Sequence, residues 1–228
     1  MADKISRERK KELEQLDPFQ ENLLKMMGYV KEFKKQLILI GGAIVLVALV
    51  FSGIMYSFQK AENTAGILVT ETLKKYAEIN DPEKGYLETE ADFKMIFSEY
   101  ANTNAGKLAK VKFAKICYEA SKFDQSYQYY KESLQIFKNN ELIKNFILAS
   151  LGHVCISRKE FDEAKDYFLK IENGKTDLLK DEAKFSLAIL DEVSGNTAES
   201  KKMYEKIVTE HEDSMYLSIV KSKIQEMN

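Results

Sequence analysis

Between Lys35 and Lys60 the chain carries no charged residue, and the run Leu37 to Phe58 (LILIGGAIVLVALVFSGIMYSF) is apolar apart from glycine and serine. At about 1.5 Å of rise per residue such a run makes a helix of roughly 33 Å, enough to cross a hydrocarbon core of about 30 Å. A cleaved signal peptide has an apolar region of only about 7–15 residues followed by a small-residue cleavage site. This run is longer, follows a long leader and has no clear site of that kind after it. A buried helix of a soluble domain rarely stays uncharged for so many turns. The sequence therefore divides into a leader (1–35), an uncleaved transmembrane helix (36–59) and a long following domain (60–228).

Lysines near the span set the expected orientation, because Lys and Arg resist translocation more than acidic residues promote it. Lys31, Lys34 and Lys35 abut its N-terminal end, with Lys25 and the RERKK run at 7–11 further back, whereas Lys60 stands alone on the far side until Lys74 and Lys75. The leader is expected in the cytoplasm and residues 60–228 in the opposite compartment. Phe19, Leu23, Met26, Met27, Val30 and Phe33 share one helical face of the leader. That face either lies on the membrane or a partner's cytoplasmic loops, or simply extends the anchor helix.

The segment after the span is long enough for one domain with its own core. The whole chain has only two prolines and ten glycines, which together with abundant Lys, Glu, Ala, Leu, Ile, Phe and Tyr points to an all-α fold. A net charge of −2 without a basic stripe argues against nucleic acid as a partner. No phosphate loop, dinucleotide fingerprint or nucleophile elbow occurs. His153 and His211 are the only histidines, and neither has a second ligand at i+3 or i+4. The expectation is a non-enzyme with no cofactor, no metal and no small-molecule substrate.

A weak period of 36 to 38 residues runs through the C-terminal part, and such periods signal stacked helical hairpins. The clearest unit, LASLGHVCISRKEFDEAKDYFLKI, places Gly152 in one helix and Phe161, Ala164 and Phe168 in the next. The preceding unit repeats the spacing as Ala114, Phe123, Ser126 and Tyr130, and the following one as Leu187, Ala188, Ser200 and Tyr204, with Thr197 where an aromatic is expected. This pattern resembles the tetratricopeptide repeat. In that family small residues let helices A and B approach and aromatics fill the gap between them. Gly195 reads as a helix-ending residue. Upstream, 64–80 and 88–102 are helical by periodicity around an Asn80-Asp81-Pro82 turn and make a divergent fourth hairpin. Asp213-Ser214 offers an N-cap for a last, capping helix with Tyr216, Ile219, Val220 and Ile224 on one stripe.

Cys117 and Cys155 each lie three residues after the small residue of successive A helices. Neighbouring helix axes are about 8–10 Å apart, whereas a disulfide needs Cα atoms within about 7 Å. Two buried free thiols are expected.

In the family's pattern the A helices line a concave face, which here would present Lys115, Tyr118 and Glu119, then Phe146, Ala149 and His153, then Phe185, Ile189 and Glu192. Mixed aromatic, apolar and charged groups suit a peptide or another protein; the alternative for each residue is interior filling. A cytoplasmic leader, one span and a membrane-proximal array of degenerate hairpins, most clearly in LASLGHVCISRKEFDEAKDYFLKI and LKDEAKFSLAILDEVSGNTAESKKMYEKI, resemble the YfgM-type ancillary subunit of the bacterial SecYEG translocon. The leader here is longer than that family's. The resemblance implies an inner-membrane protein whose periplasmic domain associates with translocon subunits, periplasmic chaperones or exported polypeptides. A repeat scaffold for cell-envelope assembly or division, or an accessory subunit of another membrane complex, are the rival readings of the same architecture.

Overall fold

A computed structural model describes residues 18–227. The basic run at 7–11 and Asp17 lie outside them. The described residues form ten helices: α1 (Pro18–Glu32), α2 (Lys34–Ala77), α3 (Pro82–Glu99), α4 (Asn104–Glu119), α5 (Phe123–Ile136), α6 (Glu141–Ser157), α7 (Phe161–Glu172), α8 (Lys180–Val193), α9 (Thr197–Glu210) and α10 (Leu217–Glu226). No strand occurs among them, so the all-α reading stands. The chain divides into two compact units, Met1–Phe58 and Gln59–Asn228.

In the first unit the apolar residues from Leu37 to Phe58 are exposed on α2, a helix long and apolar enough to cross a membrane. The backbone ladder runs from α1 into α2 without interruption, with Phe33 N–H donating to the Tyr29 carbonyl and Leu37 N–H to that of Phe33, both at 2.9 Å. Phe19, Leu23, Met26, Met27 and Val30 are exposed.

The second unit is a run of hairpins in which each helix from α3 to α10 packs on the next. The residues after Gln59 in α2 pair with α3, and α4/α5, α6/α7 and α8/α9 follow, closed by α10. The pairing depends on small residues at fixed places. At Gly152 a Cβ atom would stand 2.5 Å from Cζ of Phe168, so only a bare backbone lets that ring lie across α6. In α4/α5 the small residue is Ser126, whose buried hydroxyl donates to the Ala114 carbonyl at 2.8 Å and so carries no unsatisfied polar group into the interior. Ala188, Ser200 and Tyr204 are fully buried at the corresponding places of α8/α9.

The repeat is also written in the backbone. Ser121, Lys159 and Gly195 have φ of 57°, 63° and 77°, and each follows an A helix. In every case two bonds close the turn in the Schellman pattern: Ser121 to Tyr118 O and Lys122 to Cys117 O, Lys159 to Ile156 O and Glu160 to Cys155 O, Gly195 to Glu192 O and Asn196 to Asp191 O. Only Gly195 has the residue that this left-handed conformation favours, which is why the sequence shows one turn where the fold has three.

Other boundaries differ from expectation. Helix α3 starts at Pro82 rather than near 88, because the Asp81 carboxylate accepts the Glu83 and Lys84 N–H groups at 3.0 Å and Pro82 supplies a first-turn φ. The N-cap position of α10 is Tyr216, without a side-chain capping bond, rather than Ser214; the Ser214 hydroxyl donates to Asp181 at 2.7 Å and accepts the Tyr216 N–H at 3.2 Å just ahead of the helix. Tyr216, Val220 and Ile224 pack inward on α10, whereas Ile219 is exposed.

Parallel A helices place all their N-termini on one edge. The Glu62 carboxylate of α2 accepts the Asn104 and Ala105 N–H groups of α4 at 2.7 and 2.8 Å. Asn145 of α6 donates to the Leu178 carbonyl just before α8, and Ser214, just before α10, reaches Asp181 of α8. On the opposite edge Tyr76 donates to Glu119 and Ser157 to Tyr118.

Candidate binding groove

The A helices α4, α6 and α8 border an open cleft of about 410 Å³, lined among others by Lys115 and Tyr118 of α4, Phe146, Ala149 and His153 of α6, and Glu182 of α8. A second cleft of about 450 Å³ continues it between α4 and α6 and shares Lys115 and Phe146. Its other walls are Leu108, Val111, Lys112, Leu142 and Ile143.

Helix periodicity explains this placing. Residues three and four apart on α6 fall on one face, so Phe146, Ala149 and His153 form a single row, with Ala149 buried and the Phe146 ring half exposed. Tyr130 of α5 reaches the floor, where burial pushes its phenol up to about 12. It is therefore neutral at physiological pH. His153 Nε2 lies 2.9 Å from Glu182 Oε1 across the cleft, and its ring meets Phe168 edge-on at 5.4 Å. Tyr118 packs on Phe123. The result is an apolar floor with an exposed aromatic, two lysines and one carboxylate at the rim.

Five of the nine groove residues expected from the sequence, Lys115, Tyr118, Phe146, Ala149 and His153, thus line one cleft. The other four do other work. Glu119 accepts from Tyr76 at 2.6 Å and pairs with Lys115 at 3.5 Å, tying α2 to α4. Phe185 stacks on Tyr216 at 4.4 Å between ring centroids, and Glu192 pairs with Lys223 at 2.9 Å, so α10 covers both. Ile189 is exposed outside the cleft.

Glu182, Leu108 and Lys112 were missed, and the period could have found two of them. Leu108, Phe146 and Glu182 are related by the same steps of 38 and 36 residues that relate Ala114, Gly152 and Ala188. By that register Phe185 corresponds to Val111 and buried Ala149 rather than to Phe146.

Outside the groove, Cys155, Glu160 and Glu163 bring a sulfur and two carboxylates within 4.8 Å of one another. Burial, with the two carboxylates adding to it, pushes the Cys155 thiol up to about 12, whereas a metal ligand must be a thiolate. Glu163 Oε1 accepts from the Tyr127 and Tyr167 hydroxyls and Glu160 Oε1 pairs with Arg158 at 2.9 Å, while Glu160 Oε2 is buried with no hydrogen-bond partner among the described residues. Cys117 is likewise buried, free and raised to about 12. Both cysteines are free thiols, as the repeat register requires.

No family model matches the chain, and no curated protein matches it.

Proposed function

We propose that this protein is a membrane-anchored scaffold without catalytic activity that holds a segment of another protein in the groove of its A helices. The observation that carries the reading is the cleft along α4, α6 and α8, in which exposed Phe146 stands over an apolar floor beside Lys115 and the His153–Glu182 pair. An exposed aromatic with charged groups at the rim is the composition of a peptide-binding surface. The anchoring is supported by α2, the helix long and apolar enough to span a bilayer.

The more specific proposal is an ancillary subunit of the SecYEG translocon in the bacterial inner membrane, with the leader in the cytoplasm and the repeat domain in the periplasm, linking the translocon to periplasmic chaperones or exported polypeptides. Its support is the lysine asymmetry around the span and the order of anchor and repeats.

Photocrosslinking in membranes tests this. A photoreactive residue at Tyr118 or Phe146 is expected to capture translocon subunits, chaperones or exported chains, whereas one at Phe185, under α10, captures none. Capture of envelope-synthesis or division proteins at the same two sites would replace the translocon assignment, and equal labelling at Phe185 would overturn the groove.

A further inference from the structure

The edge that gathers the A-helix N-termini also carries a cluster of lysines. A cleft of about 460 Å³ between the α5–α6 turn and the end of α7 is lined by Lys138, Lys144, Lys170 and Lys175, with Glu141 as its one carboxylate. Glu141 is taken by Lys144 at 3.2 Å. Lys138 and Lys175 are exposed and have no acidic partner among the described residues, and Lys170 lies over the Tyr167 ring at 4.7 Å. Neighbouring carboxylates on this edge are already engaged, Glu172 by Lys206 at 3.4 Å and Asp177 by Lys180 at 3.5 Å. The cluster therefore presents uncompensated positive charge on a chain whose net charge is −2. Beneath the lysines lie half-buried Leu134 and Leu148, a buried residue of the core.

Connectivity says what lies nearest to it. The chain enters this unit at Gln59, directly after the apolar run, and Glu62 sits on the first turn of α4. The edge holding the α5–α6 turn and the loop before α8 is thus the edge by which the chain enters the unit from α2. We propose that Lys138, Lys144, Lys170 and Lys175 form a docking surface for anionic phospholipid headgroups, so that the repeat domain rests on the membrane by this edge and leaves the A-helix groove open to a partner. The inference rests on α2 being membrane-embedded. Lysines near an anionic surface attract it over about a Debye length, and each one that reaches it favours the docked state about fivefold, so three or four give of order 10²-fold.

The full chain in nanodiscs tests this, with a donor fluorophore on Asn139→Cys and an acceptor on the lipid headgroups. Energy transfer is expected to rise strongly from neutral phosphatidylcholine discs to discs containing about one third phosphatidylglycerol, and to return to the neutral value in roughly 1 M salt, where the Debye length shrinks to about 3 Å. The triple variant Lys138→Glu, Lys170→Glu, Lys175→Glu is expected to lose the rise, while a donor on Asp162→Cys, at the opposite edge, reports a smaller one. Transfer that is high but indifferent to lipid charge and to the variant would overturn the docking surface and leave the anchor standing. Failure of the chain to enter discs would overturn the anchor, and the docking surface with it. Protection of the Asn139→Cys site by added polyglutamate in neutral discs, without a response to phosphatidylglycerol, would give the patch to an acidic protein instead.

Discussion

The α6/α7 hairpin and the α8/α9 hairpin have the same backbone plan and are joined by different chemistry. In the first the helices meet through an apolar fit, Gly152 beneath the Phe168 ring, with Leu151, Val154, Ala164 and Ile171 buried around it. In the second, Lys184 is only 3% exposed and its ammonium group lies 2.8 Å from Glu210 and 3.0 Å from His211 at the end of α9. Asp191, also buried, holds Lys165 of α7 at 2.7 Å, and α10 is attached through Asp181 and Glu192. Buried charges are tolerated only when paired, and their worth depends on pH and salt in a way that an apolar contact does not. The comparison teaches that the repeat fixes where helices approach, and that the end of the array, with one neighbour fewer, is held by contacts sensitive to conditions.

The largest break in this comparison comes at Gly152. A Cβ there meets three Phe168 ring atoms at 2.5 to 2.9 Å. Overpacking costs about 1–3 kcal/mol and Ala returns about 1 kcal/mol of helix propensity over Gly. Gly152→Ala is therefore expected to weaken α6/α7 by up to about 2 kcal/mol, read as faster amide exchange there, and Phe168→Leu in the same chain is expected to recover part of it. An unchanged exchange rate would mean that the ring moves aside freely.

A smaller effect of opposite sign is expected at the turn. Lys159 has φ of 63° where α8 ends in Gly195, and a non-glycine residue in the left-handed region carries about 1–2 kcal/mol of strain, partly offset by glycine's greater freedom in the unfolded chain. Lys159→Gly should stabilise α6/α7 by about 0.5–1 kcal/mol by the same exchange measurement, whereas Gly195→Lys should cost the last hairpin a similar amount.

The subtlest test concerns pH. The hydrogen bond from Lys184 holds the Glu210 carboxyl below the ordinary carboxylate range. Since the folded value is the lower one, this pairing stabilises the fold above the unfolded value of about 4.3, and the contribution is lost as pH falls through the folded value. In Lys184→Met the Glu210 carboxyl should titrate by NMR in the ordinary range, and the acid-induced loosening of α8/α9 tied to it should vanish. A Glu210 titration unaltered in the variant would show that its environment, rather than Lys184, sets its acidity.

Much of this architecture was legible because it rests on short-range signals. An uncharged run marks the long apolar helix, Asn80-Asp81-Pro82 marks a turn, and the spacing of Gly152, Ala164 and Phe168 marks a hairpin. The turns at Ser121 and Lys159 were invisible because tertiary packing, not residue type, imposes their φ. The groove was half legible. Lys115, Tyr118, Phe146, Ala149 and His153 follow from helix faces alone, but the partial covering of Phe185 and Glu192 depends on where α10 returns, which no local pattern states. The lysine edge was hidden for a related reason. Lys138, Lys144, Lys170 and Lys175 are dispersed in sequence and converge only when two successive turns stack.

The two cysteines set a race during folding. A nascent or freshly threaded chain exposes both thiols, and in an oxidising compartment a bond between them would pin together two positions that the finished fold keeps apart inside successive hairpins. Local helix and hairpin contacts form in microseconds to milliseconds, while thiol oxidation takes seconds to hours. An array built from neighbour-to-neighbour contacts can therefore sequester Cys117 and Cys155 before an oxidant finds them. After that, burial and their raised pKa keep them inert on either side of a membrane.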